Sequence, residues 1–221
     1  MKLVYKNIGH ILRFDPGYVV ELVIENKTLF REVVNNISMQ IDGQYGDAVL
    51  SVRDKPVELS KYADLTVQLI PFQVNRKSLL TKLYSSLEQK SLSAEYYPEL
   101  MELLGRIDKF IHSVAEEYSF DICCQKISLG PILRSVGVEI AVDDLSTLEK
   151  IFEYMELVRE LDKDRLFIFV NFRTYFSDND VDVFVKTVYS HDFKVLFLES
   201  SSFVRLNNVK RYTVDEDLCE F

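Results

Sequence analysis

The sequence predicts an α/β fold with a largely parallel sheet, interrupted by an inserted helical arm. Three observations carry this. Apolar strands alternate with amphipathic helices at both ends of the chain, the pattern of crossover-connected parallel strands. Several of those strands, among them Leu166–Val170 (LFIFV), are apolar on consecutive residues, as expected where both faces of a sheet are covered. Between them, from Asn75 to about Tyr118, a 3.6-residue apolar period runs on without a strand.

The elements follow in order. Lys2–Tyr5 and His10–Phe14 read as short strands, with a turn signal at Asp15-Pro16-Gly17. Tyr18–Ile24 (YVVELVI) reads as a buried strand, and Thr28–Ser38 as a helix with Leu29, Phe30, Val33, Val34 and Ile37 as its apolar residues. A hairpin follows: Ala48–Val52, a turn around Asp54-Lys55-Pro56, then Val57–Leu59. Leu65–Ile70 (LTVQLI) reads as one more strand. The helical arm begins with Leu79, Leu80, Leu83 and Leu87 on one stripe. It breaks near Ser91–Pro98, where Pro98 disfavours helix at Tyr97. It resumes with Leu100, Leu103, Leu104, Ile107, Ile111 and Val114, and a short helix covers Pro131–Ser135. Val138–Val142 reads as a strand, and Ser146-Thr147-Leu148-Glu149 as a capping box opening a helix. The strand Leu166–Val170, a helix starting at Ser177, the strand Val195–Leu198 and an edge strand at Arg211–Val214 complete the chain. The predicted division is a head from residues 1–72 and 138–221, with a helical leg from residues 73–137.

Composition narrows the function class. The chain has 221 residues, 48% hydrophobic and 28% charged, ordinary for a folded domain and too apolar for disorder. The formal charge of −9 argues against a uniformly basic nucleic-acid binder. Its distribution is uneven. Residues 1–72 carry 8 basic and 9 acidic side chains, residues 73–137 carry 8 of each, and residues 138–221 carry 10 basic and 18 acidic. Within the arm, Asn75–Lys90 holds Arg76, Lys77, Lys82 and Lys90 against Glu88 alone. Such a stripe is either a solvated face or a surface for phosphates, which would not read base sequence. Cys123, Cys124 and Cys219 match neither a disulfide framework nor a zinc spacing. No signal peptide and no membrane span is predicted, so the expected compartment is the reducing cytoplasm.

A parallel sheet invites a search for a nucleotide site. After Tyr18–Ile24 comes Glu25-Asn26-Lys27-Thr28, where a Lys-Thr pair stands in place of the end of a phosphate loop. The loop is short and acidic and has no glycine, so its backbone N–H groups cannot wrap a phosphate. The residue closing LFIFV is Asn171, which cannot supply the carboxylate usual for magnesium. His10, His112 and His191 are isolated from one another, so no nucleophile triad is read. No catalytic residue and no nucleotide is expected.

Several segments, in one order, resemble a known family. They are Pro71-Phe72-Gln73-Val74-Asn75 running into Leu79-Leu80 and Leu87-Glu88, then Ile132–Ile140 followed by Ser146–Ile151, then Arg165–Asn171 and Lys194–Glu199, and finally Tyr212–Asp217, a Y-x-x-D-E-D ending. Over residues 65–217 the chain resembles the DNA-end-binding ring protein of type II-A CRISPR adaptation. The resemblance implies a P-loop-ATPase-like head that no longer binds nucleotide, and an extended helical leg. It implies a homotetrameric ring that threads double-stranded DNA ends, without catalysis, alongside the CRISPR integrase complex and the effector nuclease. It also implies bound calcium, and here Glu117 and Asp121 are the retained acids, while Cys123 and Gln125 stand where acids are expected. Arg134, Lys163 and Arg165 match basic positions of the family and, with Arg76, Lys77 and Lys82, are the candidate DNA contacts. Two other classes stay open: a small nucleotide hydrolase with an atypical phosphate loop, and an adaptor that binds proteins only.

Overall fold

The fold is described from a computed structural model, which covers residues 1–16 and 18–221. The expected turn at Asp15-Pro16-Gly17 falls in part on Gly17, outside the described residues. Two compact units form: Met1–Gln73 with Asp144–Phe221, and Val74–Asp143.

Among the described residues the first unit holds two sheets. One is antiparallel, ordered β2-β1-β4-β5, from β1 (Lys2–Tyr5), β2 (Ile8–Arg13), β4 (Ala48–Val52) and β5 (Lys55–Val57). The other is ordered β6-β7-β8-β3-β9, from β3 (Val19–Ile24), β6 (Ala63–Thr66), β7 (Leu166–Val170), β8 (Lys194–Glu199) and β9 (Val209–Val214). Every pairing in this second sheet is parallel. Period-two alternation sorts its side chains. Val20, Leu22 and Ile24 join Ile168, Leu196 and Leu198 in a core. That core is closed by Leu29, Val33 and Ile37 of helix α1 (Lys27–Ile41) and by Leu3, Leu12 and Leu50 of the antiparallel sheet. Of the alternate residues, Phe169 and Phe197 meet Phe172 and Phe184, Phe167 meets Tyr154 and Phe193, and Phe172 stacks on Phe197 at 4.6 Å. Helices α6 (Thr147–Leu161) and α7 (Asp178–Ser190) supply Ile151, Met155, Val181 and Val185 to the buried interior. The box at Ser146 forms in both directions, with Ser146 N donating to Glu149 and Glu149 N to Ser146 Oγ.

Four local expectations need correction. The turn of the β4–β5 hairpin is Arg53-Asp54, both at positive φ as a two-residue hairpin requires, so β5 starts at Lys55 and Leu59 opens a short helix α2 (Leu59–Tyr62). The strand expected at Leu65–Ile70 ends at Thr66: β6 is an edge strand whose pairing with β7 stops there, leaving Val67 and Ile70 exposed.

The second unit contains α3 (Lys77–Ser91), α4 (Tyr97–Ala115) and α5 (Leu129–Ser135). Pro98 sits in the first turn of α4, where its missing N–H is no loss, so Tyr97 is helical after all. Val138–Val142 forms no strand. Its hydrophobic run is held by side chains instead. Asn75 accepts from the Ile140 N–H at 2.9 Å and donates to the Ile140 carbonyl at 3.0 Å, standing in for a neighbouring strand. Tyr84 Oη donates to the Val138 carbonyl.

Candidate nucleic-acid interface

Helix α3 carries the basic stretch on a half-buried frame. Leu79 and Tyr84 anchor it, while Lys77 and Lys90 are exposed and Arg76 and Lys82 partly so. The acid of the stretch, Glu88, turns inward: its Oε1 accepts the Gly130 N–H at 2.8 Å, at the start of α5. A Cβ on Gly130 would come within 2.3 Å of that oxygen, so a larger residue there would displace the Glu88 carboxylate. Lys77 and Lys90 have no ion pair among the described residues. Arg134, exposed on α5, lies over the Tyr84 ring at 5.7 Å, so Arg134 stands against α3.

The other two candidates belong to the α/β unit. Lys163 Nζ sits 3.9 Å over the Tyr62 ring. Arg165 is tied down: its Nε donates to Asp162 at 2.9 Å and its Nη1 to the Ala63 carbonyl at 3.2 Å. Its guanidinium therefore braces the loop before β7 against β6.

The segment Glu25-Asn26-Lys27-Thr28, where a phosphate loop was sought, is occupied by its own side chains. Asn26 caps α1, its Oδ1 accepting from Thr28 N and Leu29 N, while its Nδ2 donates to the Glu216 carbonyl. Those first-turn amides are the groups that would otherwise meet a phosphate. Glu25 accepts from Ser202 Oγ. Asn171 adopts a left-handed conformation at the end of β7, and its Oδ1 accepts from both Ser200 N and Ser200 Oγ.

Glu117 and Asp121 are both exposed, and among the described residues no three His, Cys, Asp or Glu side chains gather as a metal site. Two carboxylates fall short of the six to eight oxygens calcium takes, so they do not by themselves fit the ion. Cys123, Cys124 and Cys219 are free and exposed. No helix among the described residues is long and apolar enough to cross a membrane.

The most buried charges are ones the sequence reading passed over. Glu21, in the middle of β3, accepts from Arg173 Nη1 at 3.0 Å and from Arg211 Nε. Arg173 Nη2 reaches Asp178 at 2.6 Å, and Arg211 Nη1 donates to the Phe203 carbonyl. Glu199, at the end of β8 on the same face of the sheet, accepts the Arg173 N–H, while its Oε2 has no partner among the described residues. Burial pushes the Glu199 carboxyl up to about 7, the Arg173 N–H opposes this, and the Glu21 charge adds to it. The signal was available: YVVELVI places an acid inside an apolar strand, and KVLFLE ends an apolar run on one.

Residues 40–218 match the family described as CRISPR-associated protein (Cas_Csn2). The chain is 26% identical over 200 residues to CRISPR-associated protein Csn2 of Enterococcus faecalis, covering 89% of this chain and 88% of that one. It is 24% identical over 160 residues to CRISPR-associated protein Csn2 of Streptococcus agalactiae, covering 69% and 68%. Its fold is similar to the crystal structure of Stu0660 of Streptococcus thermophilus, with a TM-score of 0.58 and 12% identity over 96% of this chain and 74% of the other. With four-fifths of its length inside the matched range, the chain belongs to the Csn2 family of CRISPR-associated proteins.

Proposed function

We propose that this chain is a non-catalytic protein that binds the ends of double-stranded DNA, assembles as a homotetrameric ring, and serves spacer acquisition in type II-A CRISPR defence. Its partners in this reading are DNA ends, three further copies of itself, the integrase complex and the effector nuclease, in the cytoplasm. The observation that carries it is the basic face of α3, whose acid, Glu88, is spent on the Gly130 amide and so leaves Lys77 and Lys90 to solvent or phosphate. Family membership supports the CRISPR setting.

Two further observations support the rest. The stripe of α4 ends largely in solvent, with Leu103, Phe110, Ile111 and Val114 all exposed, an apolar surface that association between copies would cover. The parallel sheet supports a P-loop-ATPase-like head of residues 1–72 and 138–221 with a leg of 73–137, and the capping of α1 by Asn26 supports a head that has no use for nucleotide. Four copies carry a formal charge of about −36, so DNA would be met by a localised basic surface rather than by the particle as a whole.

The test is simultaneous substitution of Lys82, Arg134 and Lys163 by Glu. Loss of DNA retention with the assembly intact supports the reading. Retention equal to the wild type removes these residues from it.

A further inference from the structure

Helices α6 and α7 leave a groove of about 300 Å³ on the α/β unit. Its walls are Leu145, Leu148, Phe152, Val183 and Phe184, closed by Thr187. Val183 is 55% exposed although it neighbours the buried Phe184. The rim is acidic. Glu149 and Glu153 line it from α6, Asp180 lies one turn before Val183 on α7, and among the described residues no Lys or Arg lines it. The lysine one turn after Val183, Lys186, is held by Asp182 at 2.6 Å. This is also the region that holds the acid excess, with 18 acidic against 10 basic residues over 138–221.

We propose that this groove docks a cationic amphipathic helix of a protein partner. The volume takes two or three apolar side chains at helical spacing, and Lys or Arg on the flanks of such a helix would meet Glu149 and Glu153. Charge complementarity selects this occupant. Phosphates of a nucleic acid would be repelled by the rim, and an uncharged apolar segment would bury part of the Glu153 carboxylate without a partner. The inference stands apart from the DNA reading, because it uses none of the candidate phosphate contacts.

The experiment uses the full chain and two labelled helical peptides of about 18 residues, five turns in length. One has Leu on a single face and Lys elsewhere; the other has Glu in place of each Lys. Binding is followed by fluorescence anisotropy for the wild type, Val183→Glu, Thr187→Glu and Glu153→Lys. The Leu/Lys peptide should bind saturably and each variant should weaken it about tenfold or more. A photo-reactive benzoylphenylalanine at position 183 should crosslink to it, and DNA retention by Val183→Glu should match the wild type. Equal binding of both peptides, or of the Leu/Lys peptide to wild type and variants, overturns the proposal. So does a change of oligomeric mass in Val183→Glu, which would assign the groove to a second copy of the chain.

Discussion

Arg173 Nη1 lies 3.0 Å from Glu21 Oε1, and neither side chain reaches solvent. The pair joins the middle of β3 to the turn after β7, and Arg173 goes on to Asp178 at the start of α7. Phe203 covers the guanidinium at 5.0 Å. Removing one member of such a pair strands the other. Arg173→Met should therefore cost about 3 kcal/mol or more, read by urea denaturation. A loss below about 1 kcal/mol would show that Arg211 alone satisfies Glu21.

Glu199 makes stability depend on pH. Its carboxyl is raised from 4.5 to about 7 in the fold, so between those values the folded chain holds a proton that the unfolded chain releases. Its contribution is fully present below 4.5 and is lost as pH rises towards 7. The whole span is worth on the order of 3 kcal/mol. Glu199→Gln, which imitates the protonated form, should match the wild type near pH 4.5 and exceed its melting temperature at pH 8. A constant difference between the two proteins across that range would mean that Glu199 does not titrate there.

The Asn75 bracket around Ile140 predicts a local effect. Asn75→Ala leaves a backbone N–H and a carbonyl without their partner, at a cost of about 1–3 kcal/mol. Amide exchange at Ile140 should rise sharply, with protection in the β3–β8 ladder unchanged. Unaltered exchange at Ile140 would show that the segment is held otherwise.

The short, acidic, glycine-free loop capped by Asn26 predicts no ATP binding, with or without the cap. Asn26→Ala should lower stability by about 1 kcal/mol and still leave ATP with magnesium unbound in calorimetry. Saturable binding by the wild type would restore the nucleotide-hydrolase reading.

Much of the fold was legible because its signals are local. The periods of YVVELVI and LFIFV, the Ser146 box and the alternation of strands and helices all state their own structure. The misses arose where a remote partner decides. Val138–Val142 has a strand's composition, but Asn75 and Tyr84 take its backbone groups, and no local pattern names them. Leu65–Ile70 stops short because its neighbour strand does. At the candidate interface, the basic character of α3 was plain from spacing. That Glu88 is diverted to Gly130, and that Arg165 is bound to the Ala63 carbonyl, depends on contacts across 42 and 102 residues that spacing does not reveal.

Threading of DNA ends is tested most directly by comparing linear duplex with a covalently closed circle of the same sequence and length. Retention is measured at low and raised salt. The account predicts that the linear form is retained, that its retention falls steeply with salt, and that the closed circle is released until it is cut once. Equal retention of the closed circle and the linear form would contradict it.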